Sequence, residues 1–274
     1  MNKKNKKINP LKTTKDELLS LFSDLGLKTG DDIMVHSSMR TLGHVVNGAL
    51  DVIDALVECV DINKGTILMP SHTGQLTDPS EWTNPPLSKE HVDIVTSSML
   101  PFDKKITPIR GRGIVSETFL SYPGIRRSEH PLNSVSALGK RSSFYTNNHD
   151  FDEPEGINSP VGKLYKNNGN ILGIGVNRFT AIHLAEYIAD VDYLINGNPS
   201  VLYKRKNGRN IFKQIKKYPG SSDNFNKVLP ILRGENLINE KNFKLGTMTY
   251  FTIRPVIDCI VDLLKSDPKL LIRG

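Results

Sequence analysis

The sequence predicts a mixed α/β fold in a single compact domain. Three observations carry this reading: a strand–helix–strand order near the start, a buried strand leading into a helix around residues 170–189, and an amphipathic helix near the end. In the first unit, Thr14-Lys15-Asp16-Glu17 is a capping box, with Thr14 at the cap and Glu17 three residues on. Leu18, Leu19, Leu21, Phe22 and Leu25 follow at helical spacing, and Gly26 suits the exit. After a turn at Gly30, Ile33-Met34-Val35 reads as a short buried strand that delivers His36-Ser37-Ser38 at its C-terminal end. Ala49, Ile53, Leu56, Val57 and Val60 repeat on a helical face, and Gly65 precedes the strand Thr66-Ile67-Leu68-Met69, stopped by Pro70. Two strands joined through a helix form a parallel pair.

Residues 71–110 are rich in Pro, Ser, Thr and Asp and read as a long functional loop with one helix near 89–100. Loops of that length serve as lids or binding walls. Asn170-Ile171-Leu172-Gly173-Ile174-Gly175-Val176 is a buried strand, and a helix is expected over 180–189. Residues 201–206 and 209–215, joined by Asn207-Gly208, give a hairpin with a type I′ turn. Residues 248–253 read as a strand. Pro255 then opens a helix carrying Val256, Ile257, Ile260, Val261 and Leu264 on one face. With no internal repeat or low-complexity linker, residues 1–12 are assigned to a basic tail and 13–270 to one domain with insertions.

Net charge is +7 and pI about 9.2, a balance that raises nucleic acid as a partner. The excess lies largely in Lys3, Lys4, Lys6 and Lys7 of the tail and in the hairpin bases such as Lys204, Arg205, Lys206 and Arg209. Neither stretch interleaves aromatics as a single-strand platform would, so both read as solvated and nucleic acid is not expected as a partner. No apolar run reaches the roughly 20 residues of a membrane span, and the basic N-terminus has no apolar segment after it to make a secretory signal. The two cysteines, Cys59 and Cys259, fall in apolar helical patterns and read as buried thiols of a reducing, cytoplasmic compartment.

The densest chemical constellation is Thr180-Ala181-Ile182-His183-Leu184-Ala185-Glu186. On a helix, Thr180, His183 and Glu186 share one stripe, beginning just past a strand's C-terminal end, where open α/β sheets bind ligands. An imidazole beside a carboxylate makes a general base, because the carboxylate supports the imidazolium. Thr180 would sit at the helix cap or first turn. The bland alternative, a His/Glu pair on a solvated helix face, carries equal weight on these residues alone. A metal is not expected: the stripe lacks the H-E-x-x-H spacing, and His44, His91 and His149 stand in polar loops as surface histidines.

A second group, His36, Ser37 and Ser38, offers hydroxyls and backbone N–H groups for an anion or thioester. A serine nucleophile there is the competing enzyme reading. Neighbours on a strand point to opposite faces, however, and no G-x-S-x-G elbow is present. The third group, Gly111-Arg112-Gly113 through Ser116, then Arg126-Arg127-Ser128-Glu129-His130-Pro131, suits phosphates or a set of solvated arginines equally. Gly173-Ile174-Gly175 begins a dinucleotide fingerprint, but Arg178 stands where its third glycine belongs.

Taken in order, these segments resemble the aminoglycoside 3-N-acetyltransferase family. The resemblance rests on His36-Ser37-Ser38 with Leu42-Gly43, Gly65-Thr66-Ile67-Leu68-Met69-Pro70, Trp82-Thr83-Asn84-Pro85-Pro86 and Phe102-Asp103 with Thr107-Pro108. It continues in Arg127-Ser128-Glu129-His130-Pro131 with Ser134, in Ser159-Pro160, and in Thr180 through Glu186. It implies a central mixed sheet flanked by helices, distinct from GNAT acetyltransferases, and direct transfer of acetyl from acetyl-CoA to an amine without a metal. Carried onto this chain it implies His183 as base, Glu186 as its carboxylate partner or a substrate anchor, and Thr180 beside them. His36, Ser37 and Ser38 would line the thioester region, with Arg112, Ser116 and Ser128 as further cofactor contacts. The acceptor is an aminoglycoside or another small amine, and the protein a cytoplasmic monomer or homodimer. A polycationic acceptor sits oddly with a basic protein, so local acid is expected near the site, from Asp150, Asp152, Glu153 and Glu155 or from Glu186, Asp190 and Asp192.

Overall fold

Local chemistry opens the fold as the sequence promised. A computed structural model describes residues 12–220 and 224–272, so the tail lysines Lys3, Lys4, Lys6 and Lys7 lie outside the described residues. Strand β1 (Lys12–Thr13) pairs in parallel with β3 (His44–Val45), so Lys12 is already part of the fold. Helix α1 (Lys15–Leu25) carries the full reciprocal capping box, Thr14 with Glu17, and leaves through Gly26 at φ 105. Strand β2 (Asp32–Ser37), helix α2 (Ala49–Val60) and strand β4 (Thr66–Pro70) complete the first unit, with β2 and β4 parallel.

Residues 71–110 form the expected long excursion, with helix α3 (Lys89–Ser98) inside it. No α3 residue is buried. Next come α4 (Ile114–Leu120), β5 (Arg126–Arg127), β6 (Val135–Gly139), α5 (Ser142–Thr146) and α6 (Pro160–Lys166), none of which periodicity alone had marked. Strand β7 (Asn170–Ile174) leads to a 3-10 turn over Thr180–Ile182 and then α7 (His183–Ala189). The hairpin is β8 (Ser200–Lys206) with β9 (Arg209–Gln214), and Asn207 and Gly208 take φ 51 and 74, as a type I′ turn requires. Helix α8 (Leu229–Gly234), β10 (Asn239–Phe243), β11 (Gly246–Thr252) and α9 (Ile253–Ser266) finish the chain.

The central sheet runs β10-β11-β7-β2-β4-β6-β5. Its three middle strands, β7, β2 and β4, are parallel, and the outer ones are antiparallel. Because side chains alternate across a strand, β2 sends Ile33 and Val35 to one face and Met34 to the other. Ile33 and Val35 join Leu18 and Phe22 of α1 and Ile53 and Leu56 of α2. Met34 joins Leu164 of α6, Leu184 of α7 and Val256 and Ile260 of α9. Helices therefore cover both faces, which suits strands that are apolar throughout. The two cysteines are half-buried free thiols rather than fully buried ones. Among the described residues, no helix is long and apolar enough to cross a membrane.

Candidate active site

The parallel strands β2 and β7 end on the same side, and the chemistry gathers there. Helix α7 begins at His183, so the predicted stripe sits on a 3-10 turn followed by an α-helix. Of the two places expected for Thr180, cap or first turn, it takes the second: it opens the 3-10 turn, Phe179 precedes it, and it makes no capping bond. The solvated-face alternative also fails, because His183 is 3% and Glu186 0% exposed.

His183 Nδ1 lies 2.5 Å from Glu186 Oε2, and Tyr193 donates its hydroxyl to Glu186 Oε1 at 2.6 Å. A carboxylate only accepts, so Nδ1 carries the hydrogen and Nε2 keeps its lone pair. Phe225 packs against the ring at 4.7 Å between centroids. Burial works to lower the imidazole's pKa, but the charges of Glu155 and then Glu186, with the Glu186 hydrogen bond, outweigh it and hold it above the ordinary value. Arg112 opposes them. Glu155 is itself 5% exposed, and burial lifts its carboxyl above the usual range. His183 and Glu155 each feel the other's charge and therefore titrate as a coupled pair.

His36 stands near the end of β2, 9% exposed, with its ring edge-on to Phe179 at 5.8 Å. Burial, helped by the Arg112 charge, pushes it down to about 3, so it is neutral at any working pH, and its buried Nε2 has no hydrogen-bond partner. It borders a 220 Å³ cavity together with Ser37, Arg112, Ser116 and Thr180. A second cavity of 390 Å³ runs past Ser37, Ser38, Arg40, Arg112 and Gly113. Ser37, Gly111 and Arg112 line both cavities. The larger cavity, 570 Å³, lies at the β5 edge among Lys104, Lys105, Arg126 and Glu129, away from this chemistry.

The loop bearing Ser38 is fixed by a close packing contact. Thr41 hydrogen-bonds through Oγ1 to Ser38 O at 2.8 Å, and its side chain fills the space that a Cβ at Gly175 or Gly246 would need, 1.7 and 2.6 Å away. Only glycines on β11 and just after β7 leave room for that threonine.

Two sequence assignments change place. His149, expected on the surface, donates from Nε2 to Pro154 O at 2.7 Å and accepts at Nδ1 from Ser128 at 2.9 Å. Ser128 is fully buried and also accepts from Val135 N at 2.8 Å, so its hydroxyl faces this network and neither cavity. Arg127 is likewise buried and engaged, donating to Ser134 Oγ, Thr107 O and Ser71 O at 2.9, 2.5 and 2.7 Å, with burial lowering it to about 10. It knits these loops together. Sequence reading singled out neither Tyr193 nor His72, quoted His130 only within the motif running from Arg127 to Pro131, and weighed Glu155 only as part of an acidic cluster. Tyr193 reaches Glu186 from a separate 3-10 turn seven residues on, and His130 reaches Phe151 across 21 residues, links that no helix or strand period marks.

A family model described as aminoglycoside 3-N-acetyltransferase matches residues 34–265. The SPbeta prophage-derived aminoglycoside N(3')-acetyltransferase-like protein YokD of Bacillus subtilis (strain 168) is 36% identical over 236 residues, 85% of this chain and 84% of its own length. Its crystal structure superposes with a TM-score of 0.85 at 32% identity, covering 93% of this chain and 94% of that one. Aminoglycoside N(3)-acetyltransferase IX of Micromonospora chalcea is 27% identical over 74% of this chain and 72% of its own. A structure of AAC-IIIb, binary with CoASH, shares the fold at a TM-score of 0.80 and 23% identity, covering 93% of this chain and 97% of that one.

Proposed function

This chain belongs to the aminoglycoside 3-N-acetyltransferase family, and on that premise we propose that it moves the acetyl group of acetyl-CoA onto an amine of an aminoglycoside or a related amino compound, with His183 as the base. The observation that carries this reading is a buried imidazole whose Nδ1–H is held by Glu186 and whose Nε2 is left with a free lone pair. An ammonium cannot attack a thioester until it loses a proton, and a positioned base contributes about 10²–10⁴-fold. Nε2 takes that proton, the freed amine attacks the thioester carbonyl, and a tetrahedral oxyanion forms. The nitrogen, positively charged once its bond to carbon has formed, gives a second proton to solvent. Collapse then breaks the carbon–sulfur bond, and the imidazolium returns its proton to the departing thiolate, leaving amide, free thiol and one released proton.

The residues present suit a thioester. His36, Ser37 and Ser116 border the inner cavity with Thr180, and Ser37 and Ser38 border the outer one. In the tautomer that carries its hydrogen on Nε2, the unpartnered His36 offers a donor fixed before any oxyanion arrives, the arrangement that stabilises such an intermediate best. A serine-hydrolase reading lacks this support, since no hydrogen bond joins His36 to Ser37 or Ser38 and Ser128, which does touch a histidine, is sealed from the cavities. The test is release of free CoA thiol from acetyl-CoA against a panel of aminoglycosides and simple amines. Wild-type protein should release thiol with at least one acceptor and His183→Ala should not. Equal rates for the two would remove His183 as the base.

A further inference from the structure

Glu186 is fully buried, so both oxygens of its carboxylate need donors from the protein. His183 Nδ1 supplies one, to Oε2 at 2.5 Å. The Tyr193 hydroxyl supplies the other, to Oε1 at 2.6 Å. A terminal carboxylate turns easily about its last bond, because that torsion is broad rather than three-fold. A second donor on Oε1 removes that freedom and keeps Oε2 toward the imidazole.

Seven residues along an unbroken helix would set Tyr193 about 10 Å up the axis from Glu186, out of hydrogen-bond reach. The chain avoids this by ending α7 at Ala189 and turning through Asp190, which takes the left-handed conformation at φ 49. It comes back in a 3-10 turn over Asp192–Ile195. Leu194 in that turn is fully buried in the same core cluster as Leu184 of α7, and its carbonyl accepts from Tyr218 N–H at 2.7 Å. Lys217 donates to Asp190 Oδ1 at 2.7 Å. The turn is thus anchored by contacts other than the Tyr193 hydroxyl, which is free to serve the site. Burial, then the charge of Glu186, lifts the phenol well above its ordinary value, so it stays a donor across the working range.

Building on the reading of His183 as the base, we propose that Tyr193 is a positioning residue of this site: its hydroxyl fixes the Glu186 carboxylate against His183 and, by sharing that negative charge, limits how tightly the pair holds a proton. Tyr193 borders neither cavity at the site, so it acts through Glu186 rather than on a ligand. Glu155 and Glu186 face His183 with negative charge and Arg112 with positive charge, while Asp192 adds negative charge beside the phenol. Against that unchanged background, losing the Tyr193 donor leaves the carboxylate more basic. The pair then takes up its next proton at higher pH, whichever of the two groups receives it. Losing the carboxylate's charge has the opposite effect.

The experiment follows the imidazole itself and so needs no acceptor. In protein carrying isotope-labelled histidine, the His183 resonance is identified by its loss in His183→Ala. Its pH dependence is recorded by NMR for wild type, Tyr193→Phe, Glu186→Gln and the double variant. Wild type should titrate above 6.5. Tyr193→Phe should titrate higher, by about half to one pH unit, and Glu186→Gln lower than wild type. In the double variant the tyrosine should no longer matter, and its titration should coincide with that of Glu186→Gln. Tyr193→Met, which lacks hydroxyl and ring alike, should move the midpoint the same way as Tyr193→Phe, and thermal melts check that each variant is folded. Thiol release by Tyr193→Phe should fall about three- to tenfold in kcat, with KM for acetyl-CoA changed less than about twofold. A Tyr193→Phe midpoint equal to wild type, or one displaced equally with and without the Glu186 charge, overturns the proposal and leaves His183 as the base. If His183→Ala turns over as fast as wild type, the base reading falls and the role of Tyr193 falls with it.

Discussion

Two places in this molecule bury a histidine with a hydrogen bond on the ring, and they are built to opposite ends. At the start of α7, His183 faces Glu186 at 2.5 Å and its pKa rises above the ordinary value despite burial. In the loop after α5, His149 faces a carbonyl and a serine hydroxyl, and burial holds it well below that value. Its neighbour His130 accepts from the N–H groups of Leu132 and Asn133 and is lowered by burial to about 4. Burial is common to both places, so it is the partner that decides. A carboxylate keeps a ring ready to take up a proton, and neutral partners turn the same ring into a fixed strut.

The comparison breaks first at His183. His183→Ala should lower kcat/KM by about 10²–10⁴-fold while circular dichroism and acetyl-CoA affinity stay close to wild type. His149→Ala should do the reverse, lowering melting temperature more than it lowers kcat at a temperature where the variant is folded. Glu186→Gln comes next, with an expected loss on the order of tenfold in kcat. The base works only when neutral, so wild-type kcat/KM should climb with pH through an ionisation above 6.5. Removing the Glu186 charge should move that limb to lower pH, and a limb that stays put would mean the pair is not coupled.

Stability sharpens the contrast. The protonated forms of His130 and His149 are disfavoured in the folded chain, so below about pH 6.5 the unfolded chain binds more protons. Their contribution is complete above 6.5 and is lost as pH falls; for His130, lowered to about 4, the loss is about 3 kcal/mol. The sign is opposite for His183, whose raised pKa stabilises the fold below about 6.5 and loses that effect as pH climbs through its folded value. Melting temperature recorded from pH 7 to 5 should fall, and His130→Asn should flatten that slope even if it starts lower. The smallest expected effect is Ser128→Ala, which leaves His149 Nδ1 and Val135 N without a partner and should cost about 1–3 kcal/mol. Unchanged melting there would show that Ser128 does not brace the loop.

What could be read from sequence follows the same division between local and distant partners. The capping box of Thr14 and Glu17, the Asn207-Gly208 turn and the apolar stripe of α9 are set by residues a few positions apart, and each formed as expected. His183 and Glu186 were visible because helix spacing joins them. Strands β5 and β6 were missed because β5 is two residues long and β6 runs Val-Ser-Ala-Leu-Gly, with polar Ser136 buried against Ser71 at 2.5 Å. His149 was misplaced, since a loop rich in Asn and Asp gives no sign that Ser128 waits 21 residues earlier. Arg112 among glycines read equally as a phosphate ligand or a solvated arginine, and the burial of its Nε is a tertiary fact. Glu155 was one acid in an acidic run, and nothing local separates it from Asp152, which pairs instead with Lys213 and Lys216.

On the proposed acetyltransferase reading, in which Ser38 lines the thioester region, Thr41 wedged between Gly175 and Gly246 has a consequence for how the donor is met. The segment from Ser38 to Leu42 is pegged to β7 and β11 and cannot wave as a flap, so its order is established when the chain folds. Association then need not freeze that stretch, which leaves more of the contact free energy to hold the incoming molecule. Enlarging either glycine would evict the peg, and the penalty would surface as a slower, looser encounter with the donor well before the sheet itself gave way.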